Sequence, residues 1–72
     1  MCQSISLFDI VALIQDLPQE GLRRGQVGTV VEYLAPEVFE VEFSDNDGRT
    51  YASLGLRADE LMVLWYQPVP MG

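Results

Sequence analysis

A chain of 72 residues with no histidine and no lysine has few side chains able to do chemistry. The commonest general base is missing, and Cys2 has no imidazole to activate it. Glu40 and Glu42 form the only closely spaced carboxylate pair on a regular element, and the alternation around them puts both on one strand face. An open strand face offers no cleft to raise a carboxylate pKa, so the pair is a poor acid-base couple. Asp45-Asn46-Asp47-Gly48 contains calcium-loop residue types. Arg49 and Leu56, however, occupy the next ligand position and the position of the closing glutamate. Gly25-Gln26-Val27-Gly28 lacks the following Lys-Ser/Thr and the helical continuation of a phosphate cradle. These residues predict no catalytic, cofactor or metal site, and a protein that is not an enzyme.

What remains is charge. Eleven acidic residues against four arginines leave a net charge of −7, which repels phosphate backbones and suits either solubility or a basic partner. Arg23 and Arg24 are the one adjacent basic pair, well short of the roughly six phosphate contacts of a backbone-driven binder. No apolar run approaches the ~18 residues of a membrane span, and no Lys or Arg precedes the short apolar stretch at Leu7–Leu13, as a signal peptide would require. These features lead us to expect a soluble, cytoplasmic protein without nucleic-acid or membrane partners. Cys2, being single, can form no internal disulfide.

The elements that must position these charges centre on Gly25–Ser44. Two β-rich runs flank Ala35-Pro36-Glu37, and the second alternates strictly, Phe39, Val41 and Phe43 against Glu40 and Glu42. That pattern predicts a hairpin with one face on the core, Tyr33 opposite Phe39 and Glu32 opposite Glu40. Ile10–Ile14 reads as a preceding strand. The competing helix would place Leu7, Ile10, Val11, Ile14 and Leu17 on one face, with Ser6 and Asp9 as a capping box. Gln15–Gln26 is a long polar connection anchored by Leu22, and Gly28 marks a strand position too crowded for a side chain. Asp45–Gly48 turns into a strand at Thr50–Leu56, with Ala52, Leu54 and Leu56 on one side. Arg57–Glu60 suits one 3-10 turn, and Leu61–Tyr66 a last strand stopped by Pro68 and Pro70.

Five strands in this rhythm predict an all-β domain over residues 1–72. Its form is a small five-stranded, partly open SH3-like barrel spanning about 7–66, with one 3-10 turn before the last strand and loose ends at 1–5 and 67–72. Arg24-Gly25-Gln26-Val27-Gly28-Thr29-Val30-Val31 resembles the Gly-x-x-Gly-Thr-Val opening of KOW-type modules of transcription and ribosomal proteins. More closely, Leu7 to Leu64, with Asp9-Ile10-Val11-Ala12-Leu13, Val41-Glu42-Phe43 and Leu61, resembles an uncharacterised family of very short bacterial and cyanobacterial proteins, a domain of unknown function. The second resemblance implies no activity and no catalytic residues. The first implies a nucleic-acid-associated module, which the charge opposes.

The expected function is therefore a non-catalytic, acidic protein-interaction module. It would serve as a subunit of a larger complex or as an antitoxin-like inhibitor covering the basic site of a nuclease-like toxin. The KOW-like nucleic-acid module is the alternative. The expected partner face comprises Glu32, Glu40 and Glu42 together with Val30 and Tyr51, the register at Asp45–Gly48 bringing Glu42 opposite Tyr51. Leu22, Arg23 and Arg24 on the long loop form a second candidate site. Tyr33, Phe39 and Phe43 are expected in the core.

Overall fold

A computed structural model describes residues 4–65 of the chain. Five antiparallel strands, β1 (Ile10–Leu13), β2 (Val27–Ala35), β3 (Val38–Ser44), β4 (Thr50–Arg57) and β5 (Leu61–Val63), form one sheet in the order β4-β3-β2-β1-β5. The sheet curls as an SH3-like barrel does but does not close, since β4 and β5 end it without pairing with each other. A 3-10 turn at Ala58–Glu60 carries the chain from β4 to β5, and a second, unforeseen 3-10 turn lies at Pro18–Glu20. The stops at Pro68 and Pro70 lie outside the described residues, as do residues 1–3 of the loose start expected at 1–5 and the whole of the loose end expected at 67–72. So does Tyr66, and the last strand ends at Val63, short of the expected span.

The strand reading of Ile10–Ile14 holds to within one residue. Ser6 and Asp9 do pair, but in a single turn and not at a helix start. The Ser6 N–H donates to Asp9 Oδ2 at 2.9 Å and the Asp9 N–H to the Ser6 carbonyl at 3.1 Å, with Phe8 at φ +69° between them. A short apolar run can bury itself only by joining the sheet, and β1 does so between β2 and β5.

The core is what alternation requires. Phe39, Val41 and Phe43 of β3 are buried with Val11 and Leu13 of β1, Val30 of β2, Leu56 of β4, Leu61 of β5 and Leu22 of the long loop. Gly28 sits opposite Phe43, and a Cβ there would lie 2.7 Å from Val41 Cγ1 and 2.9 Å from the Glu42 carbonyl oxygen. Only glycine fits that approach. Leu22 plugs the core because its loop is tied to itself and to β1. Leu17 and Leu22 exchange backbone hydrogen bonds at 2.9 and 3.1 Å, Gly21 at φ +71° closes the turn, and the Gly25 N–H donates to the Leu13 carbonyl at 2.8 Å.

Three expected placements change. Tyr33 faces Phe39 as predicted, their rings 5.3 Å apart and edge-on, but at the rim of the core, leaving Tyr33 59% exposed. Val30 is fully buried opposite Val41, not on the acidic face, because β2 bulges between Val30 and Glu32 and the extra residue switches faces. Tyr51 is likewise not opposite Glu42. A further irregularity, between Phe43 and Ser44, sets Glu42 against Ser53 and turns Tyr51 toward Phe43, ring centroids 6.4 Å apart.

Candidate functional site

The outer face of β2 and β3 follows from their sequence: every residue between the core-facing ones of β3 must point away from the core, and two of these are Glu40 and Glu42. Glu32 lies directly across from Glu40, in the expected register, and no arginine pairs with any of the three. Hydroxyls of β4 partly compensate them. Ser53 Oγ donates to Glu40 Oε2 at 2.6 Å, and Thr50 Oγ1 donates to Glu42 Oε1 at 3.0 Å. The exposed Glu32 carboxylate has no hydrogen-bond partner among the described residues. The three carboxylates therefore stay together on one face, two braced and one free, without the expected company of Val30 and Tyr51. Leu34 flanks them. It leans across the same side, where a Cβ on Gly55 would come within 3.1 Å of its Cδ1.

The loop candidate separates into unlike parts. Leu22 is only 3% exposed and belongs to the core, so it cannot meet a partner. Arg23 and Arg24 are exposed, and the Arg24 N–H donates to Asp16 Oδ1 at 2.8 Å. Among the described residues one ion pair is present, Arg57 Nε to Asp59 Oδ1 at 3.0 Å. That hydrogen bond, with the nearby charges of Asp59 and Glu60, raises the Arg57 pKa above its ordinary value. Both partners are well exposed, and such pairs contribute little to stability.

The Asp45–Gly48 turn uses its own acid. Asp45 Oδ1 accepts from the N–H groups of Asp47 and Arg49, each at 2.9 Å, and the Gly48 N–H closes onto the Asp45 carbonyl at 3.0 Å with φ +79°. Among the described residues no group of three or more His, Cys, Asp or Glu side chains could hold a metal ion. No helix there is long and apolar enough to cross a membrane.

A family model described as a domain of unknown function, DUF4926, matches residues 7–63. The chain belongs to this family. No curated protein and no solved structure matches it. For this DUF4926 chain the fold is thus a small, partly open five-stranded antiparallel β-domain, consistent with a protein-interaction module.

The sequence reading missed a groove of about 420 Å³ between the first 3-10 turn and β4, bordered by Asp16, Leu17, Glu20, Leu54, Leu56 and Glu60. Its parts lie up to 44 positions apart, between Asp16 and Glu60, and no local pattern joins them. The bracing of Glu40 by Ser53 had a signal. Ser53 alternates with Ala52 and Leu54 and had to share the carboxylates' face.

Proposed function

We propose that this DUF4926 protein is a non-catalytic, cytoplasmic interaction module whose acidic sheet face engages a protein partner with a basic surface. The observation that carries this reading is the juxtaposition of Glu32, Glu40 and Glu42 on the outer face, none of them ion-paired to an arginine. Like charges directly opposite in a sheet cost ~0.2–1 kcal/mol. A basic surface laid over them relieves that cost and gains steering from the net charge of −7. The partner is either a neighbouring subunit or, in the antitoxin-like form, a basic nuclease-type toxin whose active site the face covers. Neither role asks for a nucleophile, a base or a metal.

The test is capture from the native host at low salt with the wild-type protein and with the double variant Glu32→Gln, Glu40→Gln. The wild type is expected to retain a basic protein that the variant loses. A partner retained equally by both places the contact elsewhere and leaves the acidic face as a solubilising surface.

A KOW-like nucleic-acid role is the second reading. It draws support from Arg23 and Arg24, exposed on the loop and free of ion pairs among the described residues. Gel-shift titration with single- and double-stranded DNA and RNA at near-physiological salt separates the two readings. No micromolar binding is expected, and a salt-sensitive shift lost in Arg23→Ala with Arg24→Ala would favour nucleic acid.

A further inference from the structure

β4 ends the sheet on one side, and its length from Thr50 to Leu56 carries neither charge nor proline, the devices that ordinarily blunt an edge. The Ala58 N–H donates to the Glu37 carbonyl at 2.8 Å, which sets the phase of the β3–β4 ladder. In an antiparallel pair, residues alternate between bonding the neighbouring strand and facing away from it. Leu54 and Leu56 therefore bond β3, whereas Ser53, Gly55 and Arg57 turn their N–H and carbonyl groups outward. The Arg57 N–H confirms the phase, since it donates to Glu60 Oε1 at 2.9 Å and not to β3. The outward groups of Ser53 and Gly55 have no partner among the described residues.

The groove of about 420 Å³ runs beside this open stretch. Leu17, Leu54 and Leu56 give it an apolar lining, and Asp16, Glu20 and Glu60 give it three carboxylates. Their availability differs. Glu60 accepts from the Arg57 N–H and from Gln15 Nε2, and one oxygen of Asp16 accepts from the Arg24 N–H. Glu20 is exposed, and its carboxylate accepts no hydrogen bond among the described residues.

We propose that the β4 edge and this groove form a docking site for an extended basic segment of a partner protein, which pairs with β4 as an added strand. Its backbone bonds the free groups of Ser53 and Gly55. Its side chains alternate, so one set meets the apolar lining and a neighbouring arginine or lysine reaches Glu20. Charge chooses the occupant. A second copy of this chain would bring one −7 molecule against another, whereas a basic strand complements both the rim and the whole protein. The site adjoins the Glu32–Glu40–Glu42 face at Ser53, whose Oγ donates to Glu40 Oε2, but it uses the outward backbone groups of Ser53 and not that side chain.

The experiment is an amide NMR titration of the protein with a short capped peptide alternating arginine and valine. The largest shifts and a slowing of amide exchange are expected at Ser53 and Gly55, and a glutamate–valine peptide should not bind. Glu20→Arg, a change at an exposed side chain with no bonds to lose, should weaken binding about fivefold. The variant Glu32→Gln with Glu40→Gln should leave it within about twofold, which separates this site from the outer face. The proposal is overturned by any of four results: no binding, shifts centred on Glu32 and Glu40, unchanged exchange at Ser53 and Gly55, or equal affinity in Glu20→Arg. A dimer in sedimentation equilibrium that the peptide fails to dissociate would assign the edge to a second copy instead.

Discussion

β3 and β4 are neighbours with the same alternating pattern, yet they behave differently. On β3 the three core-facing residues Phe39, Val41 and Phe43 are all buried, Val41 and Phe43 completely, whereas on β4 only Leu56 is buried and Ala52 and Leu54 are half-covered. Alternation decides which side faces the core. Position in the sheet decides how well that side is covered, because β3 has strands on both flanks and β4 borders the open seam. Stability is therefore concentrated in the centre of the sheet, and accessible surface is left at its edge, where a partner could be taken without disturbing the core.

Several substitutions probe that division. Phe43→Ala should be the most damaging, costing ~3–5 kcal/mol, most of what a domain of this size has, as read by urea denaturation. An effect below about 1 kcal/mol would mean the centre is less tightly packed than its burial implies. Gly28→Ala forces a methyl against Val41 and the Glu42 carbonyl, and should cost ~1–3 kcal/mol, since the backbone oxygen cannot swing away as a side-chain tip would. Leu54→Ala, at the half-covered edge, should cost about 1–2 kcal/mol, below the ~2–5 of a fully buried leucine. If it matched Phe43→Ala, the contrast between the strands would fail. The smallest effect is expected on the outer face. Glu32→Gln with Glu40→Gln should raise stability by ~0.2–1 kcal/mol, an increase that salt should shrink in the wild-type comparison. A loss of stability would show that the Ser53–Glu40 hydrogen bond outweighs the repulsion.

Part of the candidate site was legible before folding was considered. A count outward from a three-residue Ala35–Glu37 turn gives the observed pairs Tyr33–Phe39 and Glu32–Glu40, although the structure reaches them differently: Ala35 pairs with Val38 across Pro36 and Glu37, and a register shift between Tyr33 and Ala35 restores the expected pairing. The count fails one residue further along β2. The bulge there leaves Val30 opposite Val41, and a face assignment carried past it inverts. Tyr51 fails for the same reason at the other hairpin, where the irregularity beside Ser44 takes it out of the acidic row. The turn of the first hairpin is no more legible. Glu37 holds φ +62°, a conformation glycine adopts more readily, and nothing in its residue type announces that.

By itself, then, the sequence determined the five strands, their alternation, the central register, the need for glycine at Gly28 and the excess of acid. Each of these is set by interactions spanning a few residues. Tertiary structure alone decided the phase of β2 and β4 beyond their bulges, the folding of Gln15–Gln26 back against the seam with Leu22 in the core, and the groove that this loop makes with β4. Those features depend on how a curled sheet trades ladder hydrogen bonds against core volume across the whole chain, and a period of two carries no record of where that trade inserts an extra residue or leaves an edge uncovered.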